Sequence, residues 1–495
     1  MTGAGHTPRS ITPTLSVPDL AGSRRLHLIG IGGVGMSSVA RVLLARGFAV
    51  SGSDLKESQT LEGVRRAGAR VFVGHSPDQI PPDADTVVVS SAIPPDNIEL
   101  TAARDSGIPV LTRTQVLAGL MRGSRAIVVA GTHGKTTTTS MIAAVLAQAG
   151  LAPTFVIGGD LNESGSGAGH GSGDVFVAES DESDGSFLLF EPDIAVITNV
   201  EEDHLDYYSG QEELEAAFRT FAGRAGTIVA CRDDPGAGRA LEGIASRVIW
   251  YGAGEGSELR IRNVEVTPRG ATALIERQGP PASLGVSVPG RQNLWNATAA
   301  LAVALELGVD PEVASRAIEG FSGVRRRFER RGSAAGARFV DDYAHHPTEV
   351  AATIETARLE LGRNGPGALG GAARGRVVAV FQPHRYTRTR ALGRGLGESL
   401  AGADVVVLTE VYAAGEAPIP GVNGKLVVEA LTEAAPGKRV VYLPRRSDVV
   451  PFLLREVRRG DLVVTIGAGD VTMVGEETLR RLREAEAVTA REGTR

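Results

Sequence analysis

A chain of 495 residues is long enough for two to four domains with sizeable cores. Its 42% hydrophobic content and formal net charge of −6 describe an ordinary globular protein and exclude a strongly basic nucleic-acid surface. The one cysteine, Cys231, excludes an internal disulfide framework and fits a reducing cytoplasm, and no apolar run approaches membrane-span length. No nucleic-acid or membrane partner is therefore expected. Residues 1–23 are rich in Pro, Thr and Gly without an apolar centre, and are expected to form a disordered lead-in, not a signal peptide.

The first patterned stretch, Arg25–Asp54, reads as a strand, the turn Gly30-x-Gly32-Gly33-x-Gly35, an amphipathic helix and a second strand ending in Asp54. This is a dinucleotide-type turn with its acidic residue about 20 positions on. Alone it suggests NAD or FAD, the bland alternative being a βαβ turn that holds nothing; the broader expectation is a diphosphate-bearing ligand. Short strands and helices continue to Pro109, with Ser91 just past the carboxyl end of the strand Thr86–Ser90, and Arg122–Ser124 reads as a linker.

Ala126–Gly150 organises the rest of the chain. A buried strand, the turn Gly131-Thr132-His133-Gly134, then Lys135, Thr136, Thr137 and an apolar helical pattern make a phosphate cradle. Backbone N–H groups face anionic oxygens, Lys135 adds a cation, and the Thr136 hydroxyl suits Mg²⁺. Only four lysines (56, 135, 425 and 438) stand among 52 Lys and Arg residues, so the choice of a compact ammonium at 135 is informative. Val129 replaces the first glycine of the longer P-loop pattern, which argues against an ordinary GTPase or motor ATPase.

Leu161–Asp174 is a Gly/Ser tract expected to be a flexible loop. The strand Val175–Glu179 then delivers Glu179, Asp181, Glu182 and Asp184, either solvated acids or holders of a nucleotide's Mg²⁺. A further strand ends in Asn199, with His204 between Asp203 and Asp206. Arg260–Pro289 alternates like a β-meander. Asn296 precedes the alanine-rich pattern Ala297–Leu307, where the default reading is an N-cap and the sharper one an adenine contact. Arg327 lies in the basic run GVRRRFE, either solvated or reaching a γ-phosphate. The last third is again α/β: a strand ending in Asp341, Asp342 and His345, with Pro347 opening a helix; a Gly/Ala-rich loop over Arg363–Gly375; and strands at Val377–Phe381, Val405–Leu408 and Leu462–Ile466. Gly467–Asp470 is expected to line a cleft. Three successive α/β units with a phosphate loop in the middle suggest ATP-driven joining of two substrates held by the outer domains.

In this order the stretches HLIGIGGVGMS, GTHGKTTTT, AESDESD, TNVEEDHLD, GVRRRFE, DDYAHHPTE, FQPHRYTRT and GAGD, across about residues 25–485, closely resemble the Mur ligase family. The resemblance implies three α/β domains: a Rossmann-like UDP-substrate domain (24–122), a P-loop-type, ATPase-like central domain (123–327), and a Rossmann-like C-terminal domain (328–495) that closes over ATP and binds the amino acid. It implies a cytoplasmic, ADP-forming ligase that uses ATP and Mg²⁺ to join L-alanine to the carboxylate of UDP-N-acetylmuramate through an acyl phosphate. Such a step serves peptidoglycan synthesis, and through it cell shape and division. Gly30, Gly32, Gly33, Gly35, Asp54 and Ser91 would serve the UDP substrate, and Gly131–Thr137 the ATP phosphates. Thr136, Glu179 and His204 match metal positions, Asn296 the adenine contact, and Arg327, Asp342 and His345 the closing cleft. Lys135, Glu179, His204, Arg327 and His345 would be catalytic, His204 as metal ligand or as a base for the amine. Gln292 stands where the family usually has histidine. The implied partners are these small molecules, the protein acting as a monomer or weak homodimer. Open alternatives are a relative that joins a peptide or another amino acid to the same sugar nucleotide, a UDP-sugar-binding regulatory ATPase, and a dehydrogenase read from the first turn alone.

Overall fold

A computed structural model describes residues 17–162, 165–205, 207–362 and 375–492. The chain is α/β and builds three domains, and its described residues gather into two compact units. The first takes the residues up to Val128, Pro153–Gly158 and Gly167–Asp193; the second takes Val129–Ala152, Gly159–Ser166 and Ile194 onward. Asp206 and residues 363–374 lie outside the described set, so the flanking acid of His204 and nearly all of the Gly/Ala-rich loop are not placed.

The first unit opens with a parallel sheet of β1 (Arg25–Ile29), β2 (Ala49–Asp54), β3 (Arg70–Val73), β4 (Thr86–Val89) and β5 (Val110–Thr112), in the order β3-β2-β1-β4-β5. Parallel strands are covered on both faces, which is why β4 is an unbroken TVVV run, all of it buried. Helices α1 (Val34–Ala45), α2 (Gln59–Arg66), α3 (Ile98–Asp105) and α4 (Arg113–Met121) connect them. Their starts carry sequence-encoded caps: Ser58 accepts from Leu61 N–H, Asn97 from Glu99 and Leu100, and Thr112 forms a capping box with Gln115. Strand order reverses beside β1, and the crevice at such a switch point is where α/β sheets hold ligands. Of the expected lead-in, residues 17–23 are described: Leu20–Gly22 form a 3-10 turn, Leu20 is buried, and Arg122 donates to the Val17 carbonyl at 2.8 Å.

The same unit holds β6 (Arg125–Ala130), β7 (Thr154–Val156), β8 (Ala168–Gly169) and β9 (Val175–Glu179), ordered β6-β9-β7-β8. Here the structure corrects the loop expected over Leu161–Asp174. Ala168 and Gly169 pair with β7 as an antiparallel edge, and His170 Nδ1 meets Thr154 Oγ1 at 3.0 Å. Composition missed this strand because its stability comes from pairing and from Phe155 packed against Gly169, not from its own side chains.

In the second unit the order is β15-β14-β13-β12-β11-β10, with β10 (Ile194–Ile197), β11 (Thr227–Cys231) and β12 (Arg247–Gly252) parallel. The expected meander is present as antiparallel β13 (Leu259–Thr267), β14 (Gly270–Glu276) and β15 (Ala282–Val286). Helix α5 (Lys135–Gln148) follows the phosphate loop; α6 (Gln211–Ala222), α7 (Pro235–Ala240), α8 (Gln292–Glu306) and α9 (Pro311–Glu319) complete this part, with α5 packed on α8 and α9. Helix α8 begins at Gln292, so Asn296 sits one turn inside it and is not an N-cap. The start was illegible because its N-cap, Arg291, makes no side-chain cap bond.

The C-terminal sheet is β16-β17-β21-β18-β19-β20, from β16 (Glu329–Ala334), β17 (Ala337–Asp342), β18 (Val377–Phe381), β19 (Val405–Leu408), β20 (Arg439–Tyr442) and β21 (Leu462–Ile466). It is parallel except for β16. Helices α10 (Pro347–Glu360), α11 (Tyr386–Ser399), α12 (Lys425–Ala434), α13 (Arg446–Glu456) and α14 (Thr472–Glu492) cover both faces. Alternation along β18 shows the two cores: Val377, Ala379 and Phe381 join one apolar cluster, Val378 and Val380 the other. Truncating a ring like Phe381 to alanine costs about 3–5 kcal/mol. Among the described residues no helix is long and apolar enough to cross a membrane.

Candidate active site

The phosphate loop is tightly braced within the second unit. Gly131 has φ +139°, and a Cβ there would lie 2.1 Å from Thr198 Oγ1, so only glycine fits. Gly134, at φ +76°, packs against the Asn296 side chain. The Thr198 hydroxyl donates to the His133 carbonyl at 2.6 Å, and Asn199 Oδ1 accepts from His133 N–H at 2.7 Å. Thr132 Oγ1 donates to the Glu201 carbonyl at 3.1 Å and accepts from Glu201 N–H at 2.8 Å. The ammonium of Lys135 folds back over the carbonyls of Gly131 and Thr132. Thr198 and Asn199 brace the loop, a role the sequence reading did not assign them; their signal was only their place at a strand end.

Arg327 reaches the loop: its Nη2 donates to Thr136 Oγ1 at 3.5 Å and its Nη1 to Glu349 at 3.3 Å. Burial opposes the charge on Glu349, but His345, His133 and Arg327 together hold its carboxyl below the usual range. Asp342 accepts from Phe328 N–H at 2.7 Å and from Ala344 N–H at 2.8 Å, which anchors the crossing into the C-terminal domain. Its burial, partly offset by Arg327, pushes its pKa up to about 6. The Gly467 carbonyl accepts from Arg326 at 2.8 Å beside this crossing.

His133, Gly134, Thr137, Asn296, Arg327 and Asp342 line one cavity of about 420 Å³. Tyr251, Cys231 and Trp295 line it too, and the Trp295 indole N–H donates to Asp233 at 2.7 Å. Burial raises the Cys231 thiol to about 12, so it is no nucleophile there.

Elsewhere the two domains of this unit are joined by a buried fork. Arg388 on α11 donates to Asp203 at 3.1 and 3.0 Å, both side chains nearly inaccessible. Burial disfavours charge on Asp203, yet Arg388 and His204 hold its carboxyl far below the usual range. His204 has φ +55°, with Nε2 at 3.6 Å from Asp203 Oδ2. His345 Nδ1 meets the Tyr343 carbonyl at 3.0 Å; burial, seconded by Arg388, lowers its pKa to about 3 and keeps the ring neutral.

The first unit holds the other predicted set. Gly30 N–H and Ile31 N–H donate to the Ser53 carbonyl at 2.8 and 3.0 Å, and Gly32 N–H donates to Asp54 Oδ2 at 3.0 Å. Asp54 thus braces the glycine turn itself. A Cβ on Gly35 would lie 2.9 Å from Arg113 Nη1, which places a guanidinium over the turn that the sequence reading did not single out. Gly33 is the N-cap of α1, and Ser91 is exposed beyond β4. Glu179 also belongs to this unit and accepts from Gly158 N–H at 2.6 Å. Asp181 and Asp184 each accept from the N–H two residues on, which shapes the acidic turn. Thr136 and His204 are in the second unit.

Three family models match in succession: "Mur ligase family, catalytic domain" over residues 25–125, "Mur ligase middle domain" over 129–304, and "Mur ligase, glutamate ligase domain" over 326–469. The chain belongs to the Mur ligase family. Among curated relatives, the UDP-N-acetylmuramate–L-alanine ligase of Kineococcus radiotolerans is 48% identical over 478 residues, covering 95% of this chain and 98% of that one. The ligase of the same name from Pelotomaculum thermopropionicum is 45% identical over 471 residues, 94% and 99% of the two chains. The solved UDP-N-acetylmuramate–alanine ligase of Thermotoga maritima superposes with a TM-score of 0.77 at 28% identity, covering 93% of this chain and 99% of that one.

Proposed function

We propose that the protein is the ATP-dependent, ADP-forming ligase that joins L-alanine to the carboxylate of UDP-N-acetylmuramate in peptidoglycan precursor synthesis. The carrying observation is the convergence of the braced phosphate loop, Asn296 and Arg327 on one cavity. Likeness over more than nine-tenths of the chain to ligases of that name supports the choice of substrates. The dehydrogenase and regulator alternatives are not favoured.

A carboxylate oxygen of the muramoyl group attacks the γ-phosphorus of ATP, and ADP leaves. The neutral amine of L-alanine then attacks the acyl carbon, and phosphate leaves with that oxygen. In our assignment Gly131–Thr137 hold the triphosphate, Asn296 the adenine, and Lys135 and Arg327 neutralise charge that builds during transfer. Gly30–Gly35, Asp54 and Ser91 serve the UDP diphosphate. Asp342 holds the hinge beside Arg327, and neutral His345 faces the amino-acid side of the cleft.

Thr136 and Glu179 carry the oxygen donors that a hard cation such as Mg²⁺ prefers, and these two with His204 are the residues that would hold the ion in our assignment. Gly158 N–H orients the Glu179 carboxylate, the kind of outer bond that steadies a metal ligand. Bound there, the ion would neutralise phosphate charge. We assign residues 24–122 to the UDP substrate, 123–327 to ATP and 328–495 to closure over ATP and alanine, in a cytoplasmic monomer or weak homodimer. The test is product formation by mass: ADP release must require both UDP-N-acetylmuramate and L-alanine. Release without the amino acid would sink the ligase reading, and equal use of a peptide would shift it to the alternative ligase.

A further inference from the structure

His133, Glu201 and His346 meet at the rim of the cavity, and none of the roles assigned above uses this meeting. His133 Nε2 lies 3.3 Å from Glu201 Oε2, and His346 Nδ1 lies 3.7 Å from the same oxygen. The three donor atoms all fall within 4.8 Å of one another. His133 and His346 are more than nine-tenths buried, their ring centroids 4.3 Å apart. His133 Nε2 is buried without a hydrogen-bond partner among the described residues. Its near contact with the Glu201 carboxylate lacks hydrogen-bond alignment, and a buried nitrogen left so is costly unless it is better paired.

The outer contacts present these atoms as ligands. His346 Nε2 faces the Glu202 carbonyl at 3.3 Å, which only accepts, so the proton is on Nε2 and the lone pair on Nδ1. That lone pair otherwise takes only a long cap bond, 3.4 Å, from Thr348 N–H. His133 Nδ1 lies 3.8 Å from the Glu349 carboxylate, so an ion bound at Nε2 would leave the ring proton on Nδ1, on the side of that carboxylate. The Thr348 hydroxyl fixes Glu201 Oε2 at 2.5 Å. Carboxylate or carbonyl behind each imidazole is the arrangement that orients metal-bound histidines.

We propose that these three side chains form a site for a borderline divalent cation of the Zn²⁺ class, distinct from the Mg²⁺ of the phosphate reaction. Two neutral imidazoles and one carboxylate suit Zn²⁺ or Co²⁺, whereas Mg²⁺ prefers oxygen. A tetrahedral ion with bonds of about 2 Å needs donors about 3.3 Å apart, within small ring rotations of this geometry, and water completes the fourth position. His133 belongs to the phosphate loop and His346 caps α10, so a bound ion ties the loop to the C-terminal domain and opposes opening.

The test is Co²⁺ titration of the full chain in a large excess of Mg²⁺, read by visible absorption, with Zn²⁺ competing. The expected result is one saturable, intense four-coordinate band, displaced by Zn²⁺. His346→Asn retains a capping side chain, and Glu201→Gln retains an acceptor for Thr348; each should weaken binding by about 10- to 100-fold. Inhibition of turnover by Zn²⁺, reversed by chelation, should need about tenfold more Zn²⁺ in His346→Asn. Absence of the band, a band unchanged in both variants, or equal Zn²⁺ inhibition of wild type and His346→Asn would overturn the site.

Discussion

Two glycine turns, residues 30–35 and 131–134, join a strand to a helix in this chain, and their braces differ. Beneath the first lies Asp54, an anion, accepting from Gly32 N–H. Beneath the second lie the neutral side chains of Thr198 and Asn199, with the ammonium of Lys135 across the top. A carboxylate under a turn lowers its appetite for anionic charge; a lysine raises it. The glycine pattern alone reports that a phosphate-sized group fits, whereas the brace decides how much charge is held. On this account the first turn holds a diphosphate that undergoes no chemistry, and the second holds the transferring phosphates.

The largest expected effect is a pH dependence in the unit that holds the second turn. There burial lowers His345, His346 and, just before α11, His384 to about 3, 4 and 3 from 6.5, so each takes up a proton only on unfolding. Their stabilisation is complete above pH 6.5 and is lost as pH falls through the window below it. Asp342, raised from 3.8 to about 6, acts in the opposite sense, favouring the fold as pH falls through that range. Between about pH 7 and about pH 5 the histidines remove just under 2 kcal/mol each and Asp342 returns just over 1, a net loss of about 4–5 kcal/mol. Urea midpoints across this range should fall, and less steeply in His346→Asn.

Next in size, Lys135→Arg keeps the charge but puts a planar fork where an ammonium fits. Turnover should drop by roughly 10²-fold, about 2.7 kcal/mol, with UDP-sugar affinity by calorimetry unchanged. Asn199→Ala strips two bonds from the His133 backbone and should raise the KM for ATP by roughly 10- to 30-fold, about 2 kcal/mol. Smallest is Asp54→Ala, which removes one acceptor from the first turn: about 1 kcal/mol, a fivefold rise in KM for the UDP-sugar only. A rise in KM for ATP of the same size would erase the distinction between the turns.

What the sequence disclosed follows the range of the interactions. The strand–turn–helix around Lys135, the meander, and the strands Val377–Phe381, Val405–Leu408 and Leu462–Ile466 rest on local pattern and were legible. The default reading of Asn296 as a cap fails because the helix starts on Gln292 without a side-chain signal. The pair Asp203–Arg388 joins residues 185 positions apart, and the brace from Asn199 to His133 spans 66, distances over which one sequence carries no pairing signal. Asp54 shows the converse: its spacing was read correctly, and its partner is the turn's own backbone.

The account rests on the carboxylate attacking ATP held at the second turn. UDP-N-acetylmuramate labelled with ¹⁸O in its carboxylate, turned over with ATP and L-alanine, tests this by mass spectrometry of the released phosphate. One ¹⁸O in each phosphate is the predicted result; unlabelled phosphate would contradict it.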